Sequence, residues 1–193
     1  SKIKVNYIKL QIFPDGGVAR LRLFGEVKLD WDIYNNKKDL IELSSLKLGG
    51  SIVAYNNAHY GDVSALLSHG RGKTMGDGWE TRRRREPGND WIIIKLATKG
   101  LIKKIEIDTA HFKGNYPDQA SVQVSNFDKN KGLDEVINDS HNWKYILDKS
   151  KLQADNIHNY EVNDTSIKDV THVRLNIYPD GGVSRLRIFG LKL

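Results

Sequence analysis

Residues 172–190 read HVRLNIYPDGGVSRLRIFG, and residues 7–25 read YIKLQIFPDGGVARLRLFG. The two stretches are identical at 12 of 19 positions, at a constant offset of 165 residues and without a gap. Such density marks an internal duplication, and the period is far too long for the ~20–50-residue unit of a solenoid. In Val173-Arg174-Leu175-Asn176-Ile177 apolar and polar residues alternate with period two, the pattern of a strand buried on one face. Pro179-Asp180-Gly181-Gly182 follows. Proline presets φ, aspartate bonds its own backbone and glycine admits positive φ, so this is a turn. Val183, Leu186 and Ile188 then resume the apolar pattern. Each copy reads as a β-hairpin.

Working outward, further short strand-like runs are separated by turns: Gly50–Tyr55, Trp91–Ala97, Lys103–Asp108, Ser121–Val124, Trp143–Leu147 and Tyr160–Val162. Lys99-Gly100 reads as the turn joining the second and third of these. Asp62–Ser68 is the one expected short helix, with Asp62 as N-cap and Leu66 and Leu67 inward. About eight short strands with little helix predict an all-β fold, a jelly-roll β-sandwich with one short helix and long loops.

The duplication also predicts a layout. The second copy ends three residues before Leu193, so by analogy the first copy closes an earlier domain. Residues 1–25 are then the closing hairpin of a mostly absent first repeat. Residues 26–45 are a linker, most polar at Asn35-Asn36-Lys37-Lys38, and 46–193 are a complete second repeat. The N-terminus, Ser-Lys-Ile-Lys-Val, lacks both an initiator Met and a secretory signal, which reads as a fragment or a processed chain. The apolar residues Ile8, Leu10, Ile12, Leu21 and Leu23 of the first hairpin demand burial, because an isolated two-stranded hairpin is marginal in water. They are expected to pack on the second repeat, on a neighbouring chain or on the missing first repeat. A homo-oligomer is expected.

A chain of 193 residues with 39% hydrophobic and 28% charged residues is of ordinary globular composition, which excludes wholesale disorder and fibrous structure. The longest apolar runs, such as Trp91-Ile92-Ile93-Ile94, fall far short of the ~18 residues that suggest a membrane-spanning helix, so no membrane partner is expected. The absence of cysteine removes disulfides, zinc fingers, iron–sulfur clusters and thiol nucleophiles, and suits a reducing, cytoplasmic setting. The net charge of +6 is local: residues 69–104 hold ten cations and four anions, and the rest of the chain balances. A basic chain invites a nucleic-acid reading. Here Glu80, Glu86 and Asp90 break up the charge and no exposed aromatics alternate with the cations, so no nucleic-acid partner is expected.

Two segments carry chemistry. Residues 76–95, GDGWETRRRREPGNDWIIIK, deliver a polar loop into an apolar strand. If 79–85 is extended, Glu80, Arg82 and Arg84 share one side and Thr81, Arg83 and Arg85 the other. A guanidinium beside an acid can grip a carboxylate while the acid moves protons. Arg84 and Arg85 read as surface or subunit contacts, and the whole run reads equally as a solvated face paired with Glu80 and Glu86. Residues 105–116, IEIDTAHFKGNY, place Asp108 where a strand gives way to a loop carrying His111 and Asn115, a plausible acid/base pair at weakly diagnostic spacing. Each has a plainer reading: Asp108 as a turn cap, His111 as an ordinary loop histidine. Arg20, Arg22, Arg185 and Arg187 recur in both hairpins and fit a role in the fold or in repeat docking. Gly70-Arg71-Gly72-Lys73-Thr74 ends like a P-loop but lacks its first glycine.

In order along the chain, DGWETRR, WIIIKL, EIDTAHFKGN and YPDGGVSRLRIFG together resemble the allantoicase family, across residues 46–190 and again across 1–25. The resemblance implies two tandem jelly-roll repeats similar in fold to galactose-binding domains. It also implies hydrolysis of allantoate to ureidoglycolate and urea, in the purine (allantoin) degradation pathway. On that expectation Arg82 or Arg83 clamps the substrate carboxylate, Thr81 and Asn115 orient it, and Glu80, Asp108 and His111 supply acid/base chemistry. No cofactor is required by the sequence. A histidine with carboxylates could ligate a divalent metal, although no metal-binding spacing is visible. The alternative is a jelly-roll module that binds a ligand without turning it over.

Overall fold

Three consecutive isoleucines after Trp91 leave no polar face, so this strand is expected to be covered on both sides. It is: Ile92, Ile93 and Ile94 are all fully buried. The computed structural model describes residues 3–34, 39–127, 132–164 and 166–193. Within them lie β1 (Ile41–Glu42), β2 (Ser51–Tyr55), β3 (Trp79–Glu80), β4 (Asp90–Asp108), β5 (Gln119–Ser125), β6 (Lys144–Lys151), β7 (Ile157–Glu161), β8 (Val170–Tyr178), β9 (Gly182–Val183) and β10 (Arg185–Lys192). One α-helix, α1 (Leu133–Asp139), and short 3-10 turns complete the described elements.

β4 organises the sandwich. Its first limb pairs antiparallel with β8, from Asp90↔Ile177 to Lys95↔His172, and with β2. Its second limb pairs with β10, from Arg185↔Asp108 to Lys192↔Gly100, and with β7. β5 and β6 extend the first layer beyond β8, and β1 extends the second beyond β10. The layers are therefore β2–β4–β8–β5–β6 and β7–β4–β10–β1. Alternation turns Ile92, Ile94, Val122, Val173, Leu175 and Ile177 of one layer towards Ile105, Ile107, Leu186 and Ile188 of the other, in one core cluster. Each such side chain contributes roughly 1.5–3 kcal/mol on burial. Ile93 points the other way, into a second cluster with Phe127, Val136 and Trp143.

The turn expected at Lys99-Gly100 is absent. β4 is one strand of 19 residues whose ladder to β8 slips between Lys95 and Gly100. A Cβ at residue 100 would lie 2.4 Å from Leu43 Cδ1. Glycine lets the strand bend under Leu43 and cross from one layer to the other instead of turning back. Leu43 lies in the stretch read as linker, and β1 there pairs Ile41↔Gly190, so the sheet takes in residues ahead of 46. Asn35-Asn36-Lys37-Lys38 lie outside the described residues.

The expected short helix is a 3-10 turn over Val63–Leu67, with Asp62 Oδ1 accepting the Ser64 N–H at 2.9 Å and Leu66 and Leu67 buried. α1 was not expected. It starts where Glu135 accepts the Gly132 N–H at 3.0 Å, and only Val136 is buried, too little to print a helical period.

The two hairpin copies differ. The second is β8–β9–β10, buried at Val173, Leu175, Ile177, Val183, Leu186 and Ile188. The first forms no strand: residues 3–28 are exposed and without regular structure. The physical reason is that the edges of β4, β5 and β1 that would hold such a hairpin are already taken by residues 170–192.

Candidate functional site

β4 starts and ends at the same pole of the sandwich, at Asp90 and Asp108, and the β8–β9 turn closes over that pole. Gly181 has φ +137, and a Cβ there would lie 2.8 Å from Asn115 O. A Cβ on Gly182 would lie 2.1 Å from the buried Phe112 ring. Both glycines are thus required for the turn to lie flat on the 112–117 loop, and Gly182 N–H donates to Asn115 O at 2.7 Å.

Asp108 and His111 converge on one loop. Asp108 is buried; Oδ1 accepts the Ala110 N–H at 2.8 Å, and Oδ2 lies 3.3 Å from Arg71 Nε. Arg71 is half-exposed, and its Nη2 lies 3.7 Å from Asp155. His111 Nε2 is 2.7 Å from the Gly72 carbonyl. A carbonyl only accepts, so Nε2 carries a proton, and the neutral tautomer with this bond has its lone pair on Nδ1.

The loop bearing Arg71 and Gly72 is fastened by the second hairpin's arginines. Arg185 Nε donates to Gly70 O at 2.9 Å and Nη1 donates to Asp77 O, while Arg187 Nη2 reaches Gly70 O at 2.6 Å. Arg187 also bridges Glu42 (2.9 Å) and Glu106 (3.2 Å). Burial holds Arg185 below its usual pKa, with repulsion from Arg187 adding to it. The Asp77 carboxylate is held low by the N–H groups of Lys73 and Thr74. Both arginines serve the fold. Gly72 comes so close that a Cβ would sit 2.6 Å from Ser184 Oγ.

Glu80 and Asn115 form a second contact, Asn115 Nδ2 donating to Glu80 Oε1 at 2.5 Å. Backbone pairing of Glu80 with Gly182 fixes that position. Among the described residues no hydrogen bond or ion pair joins Glu80 to Asp108 or His111. The named acids therefore stand in two groups along the closing turn.

The arginine run does not alternate as expected, because β3 stops at Glu80. Thr81, expected to orient a substrate, is buried, and its hydroxyl accepts the Gly181 N–H at 3.0 Å. It clasps the turn. Arg84, expected at the surface, folds inward: Nη2 lies 2.8 Å from Oδ1 of the fully buried Asp90, which Asn56 and Asn57 also reach. Asp180 Oδ2 accepts the Arg84 N–H at 2.8 Å. This inward anchor leaves Arg82 and Arg83 exposed, Arg82 bonded to Glu86 at 2.6 Å. Backbone N–H donation by Arg85 holds Glu86 low.

Arg71 escaped the sequence reading. Its only local sign is a cation between two glycines, since the arginines that place its loop lie more than 100 positions away. Among the described residues, no three His, Asp or Glu side chains stand close enough to hold a metal ion, and no helix is long and apolar enough to cross a membrane.

A family model described as the allantoicase repeat matches residues 1–28 and 41–193. A probable allantoicase of Rhizobium meliloti is 52% identical over 188 residues, covering 96% of this chain and 54% of the relative. A probable allantoicase of Burkholderia mallei is 50% identical over 185 residues, covering 95% and 54%. The chain thus spans about half the length of the curated relatives it matches. Among solved structures, allantoicase of Saccharomyces cerevisiae superposes with a TM-score of 0.68 at 38% identity, covering 78% of this chain and 43% of that one. A fucolectin from striped bass serum superposes at 0.56 with 11% identity, a likeness of fold alone.

Proposed function

This chain belongs to the allantoicase family, and on that premise we propose that it carries the second repeat of an enzyme hydrolysing allantoate to ureidoglycolate and urea in purine degradation. The reaction breaks one C–N bond at the carbon bearing the carboxylate. Water supplies hydroxyl to that carbon, and the departing urea nitrogen takes a proton.

The observation that carries the site assignment is the meeting of Asp108 and His111 with Arg71 at the fastened 70–72 loop. Half-exposed Arg71, oriented by buried Asp108, offers its remaining N–H groups to a carboxylate. Arg82 and Arg83, exposed in the run after β3, serve as alternatives. His111, with Nε2–H tied to Gly72 O, presents Nδ1 as a proton acceptor. The Glu80–Asn115 pair suits a ureido group, which offers both donors and an acceptor.

Residues 1–25 then close a first repeat lying mostly outside this chain, and the second runs to residue 193 from β1 at Ile41, ahead of the expected 46. The exposed apolar residues at 3–27 support a cover supplied by that first repeat or by a neighbouring chain of an oligomer. A chain with one repeat could also bind ligand without turnover. Urea release and calorimetry with allantoate, on this chain and on Arg71→Gln, Asp108→Asn, His111→Ala and Glu80→Gln, test the reading. Loss of an acid/base group costs roughly 10²–10⁴-fold in rate. Loss of Arg71 weakens binding. Binding without urea release supports the non-catalytic module, and near wild-type binding and turnover in all four variants refutes the assignment.

A further inference from the structure

At the pole opposite the candidate site, where β4 bends between its two limbs, lies a cavity of about 830 Å³, within the ~300–1,000 Å³ range of small-molecule sites. Its walls include Lys95, Lys99, Trp31, Asn126, Thr171 and His172, and no carboxylate is among the lining residues. The cations come from the bent stretch of β4, where exposed Lys95 and Lys99 stand either side of the small Ala97. Among the described residues neither lysine has an ion-pair partner. On the linker, Asp30 and Asp32 flank Trp31 in sequence, but neither lines the cavity. The Trp31 ring rests on Tyr34 at 5.7 Å, and its carbonyl accepts Lys192 Nζ at 3.0 Å, so the linker is tied down as an aromatic wall. His172 is buried against the Phe127 and Trp143 rings, with Nδ1 2.9 Å from Thr171 Oγ1.

We propose that this cavity binds a small anion carrying two or more negative charges, as carboxylate or phosphate groups. The two ammonium groups neutralise it, Asn126 offers a polar contact and Trp31 closes one wall. His172 adds no charge at neutral pH and provides a polar edge. The site is independent of the allantoate reading: nothing in it touches Arg71, Asp108 or His111.

The test is calorimetric titration of the 193-residue chain with citrate and, separately, with pyrophosphate, each against potassium chloride at matched ionic strength. Trp31→Phe, the double variant Lys95→Gln/Lys99→Gln and Arg71→Gln are titrated in parallel. The expected result is saturable 1:1 binding of at least one anion, weakened about tenfold or more in the lysine double variant and unchanged in Arg71→Gln. A preference for citrate identifies carboxylate chemistry, and one for pyrophosphate identifies phosphate. The lysines are exposed, so the double variant is expected to keep the thermal midpoint of the parent, and Trp31→Phe retains a ring and keeps part of the affinity. No saturable binding beyond the salt control overturns the proposal, as does binding that the lysine substitutions leave intact or that Arg71→Gln abolishes.

Discussion

Asp90→Asn probes how the arginine loop is held. Asp90 is fully buried at the head of β4, and its carboxylate receives Arg84 Nη2 at 2.8 Å, Asn56 Nδ2 at 3.2 Å and Asn57 Nδ2 at 3.3 Å. The Arg84 side chain is only 14% exposed, and its buried Nε has no partner among the described residues. An asparagine keeps the shape, but it removes the charge and turns an amide N–H₂ towards donors. Stranding one partner of a buried pair costs about 3–5 kcal/mol, and the partial exposure of Arg84 argues for about 3. In urea, with a slope of about 2 kcal/mol/M for a domain of this size, the midpoint falls by roughly 1.5 M at unchanged slope. Arg84→Gln removes the other charge, so the double variant is expected to be at least about 1 kcal/mol more stable than the two single losses predict. A midpoint shift under about 0.3 M, or single losses that simply add, refutes the claim that Asp90 anchors the loop through Arg84.

Gly182→Ala pushes a methyl into the fully buried Phe112 ring and is expected to cost about 3 kcal/mol, with partial rescue by Phe112→Leu, read as thermal midpoints. Burial, aided by nearby Lys95, pushes His172 down to about 4, against 6.5 for the free side chain. The unfolded chain therefore binds the proton more readily. Up to about 3 kcal/mol of stability present above pH 6.5 drains away as pH falls to 4, and His172→Gln flattens that slope in urea titrations across pH. Arg185→Gln frees the loop at Gly70 and Asp77 and is expected to weaken allantoate binding about tenfold or more in calorimetry, while Arg185→Lys restores little because an ammonium cannot reproduce the fork.

What was legible in the sequence was local. The hairpin, its glycine turn and the Asp62 cap depend on neighbours within a few residues, and each appears where the pattern places it. Continuity of β4 was not legible, because Gly100 reads as a turn unless Leu43 is known to press on it. Burial of Thr81 and Arg84 depends on Gly181 and Asp90, and the importance of Arg71 depends on Arg185 and Arg187. Such contacts leave no trace in spacing. Asp108 and His111 were legible as a strand-end pair, but their meeting at the 71–72 loop was not. The first hairpin copy shows the opposite failure: its pattern is as clear as that of the second, yet pattern does not make a hairpin when the edges that would pair with it are occupied.

The pairing of β1 with β10 has a consequence in time. Ile41 meets Gly190, so the second layer cannot close until nearly the whole repeat has been synthesised. At ~5–20 residues per second, roughly 7–30 s separate the appearance of β1 from that of β10. For the last roughly 4–16 s of it, Ile105 and Ile107 stand on the nascent chain without their β10 partners. The earlier copy at 7–25, already made and bearing the same alternation, is on hand as a rival for the same edge.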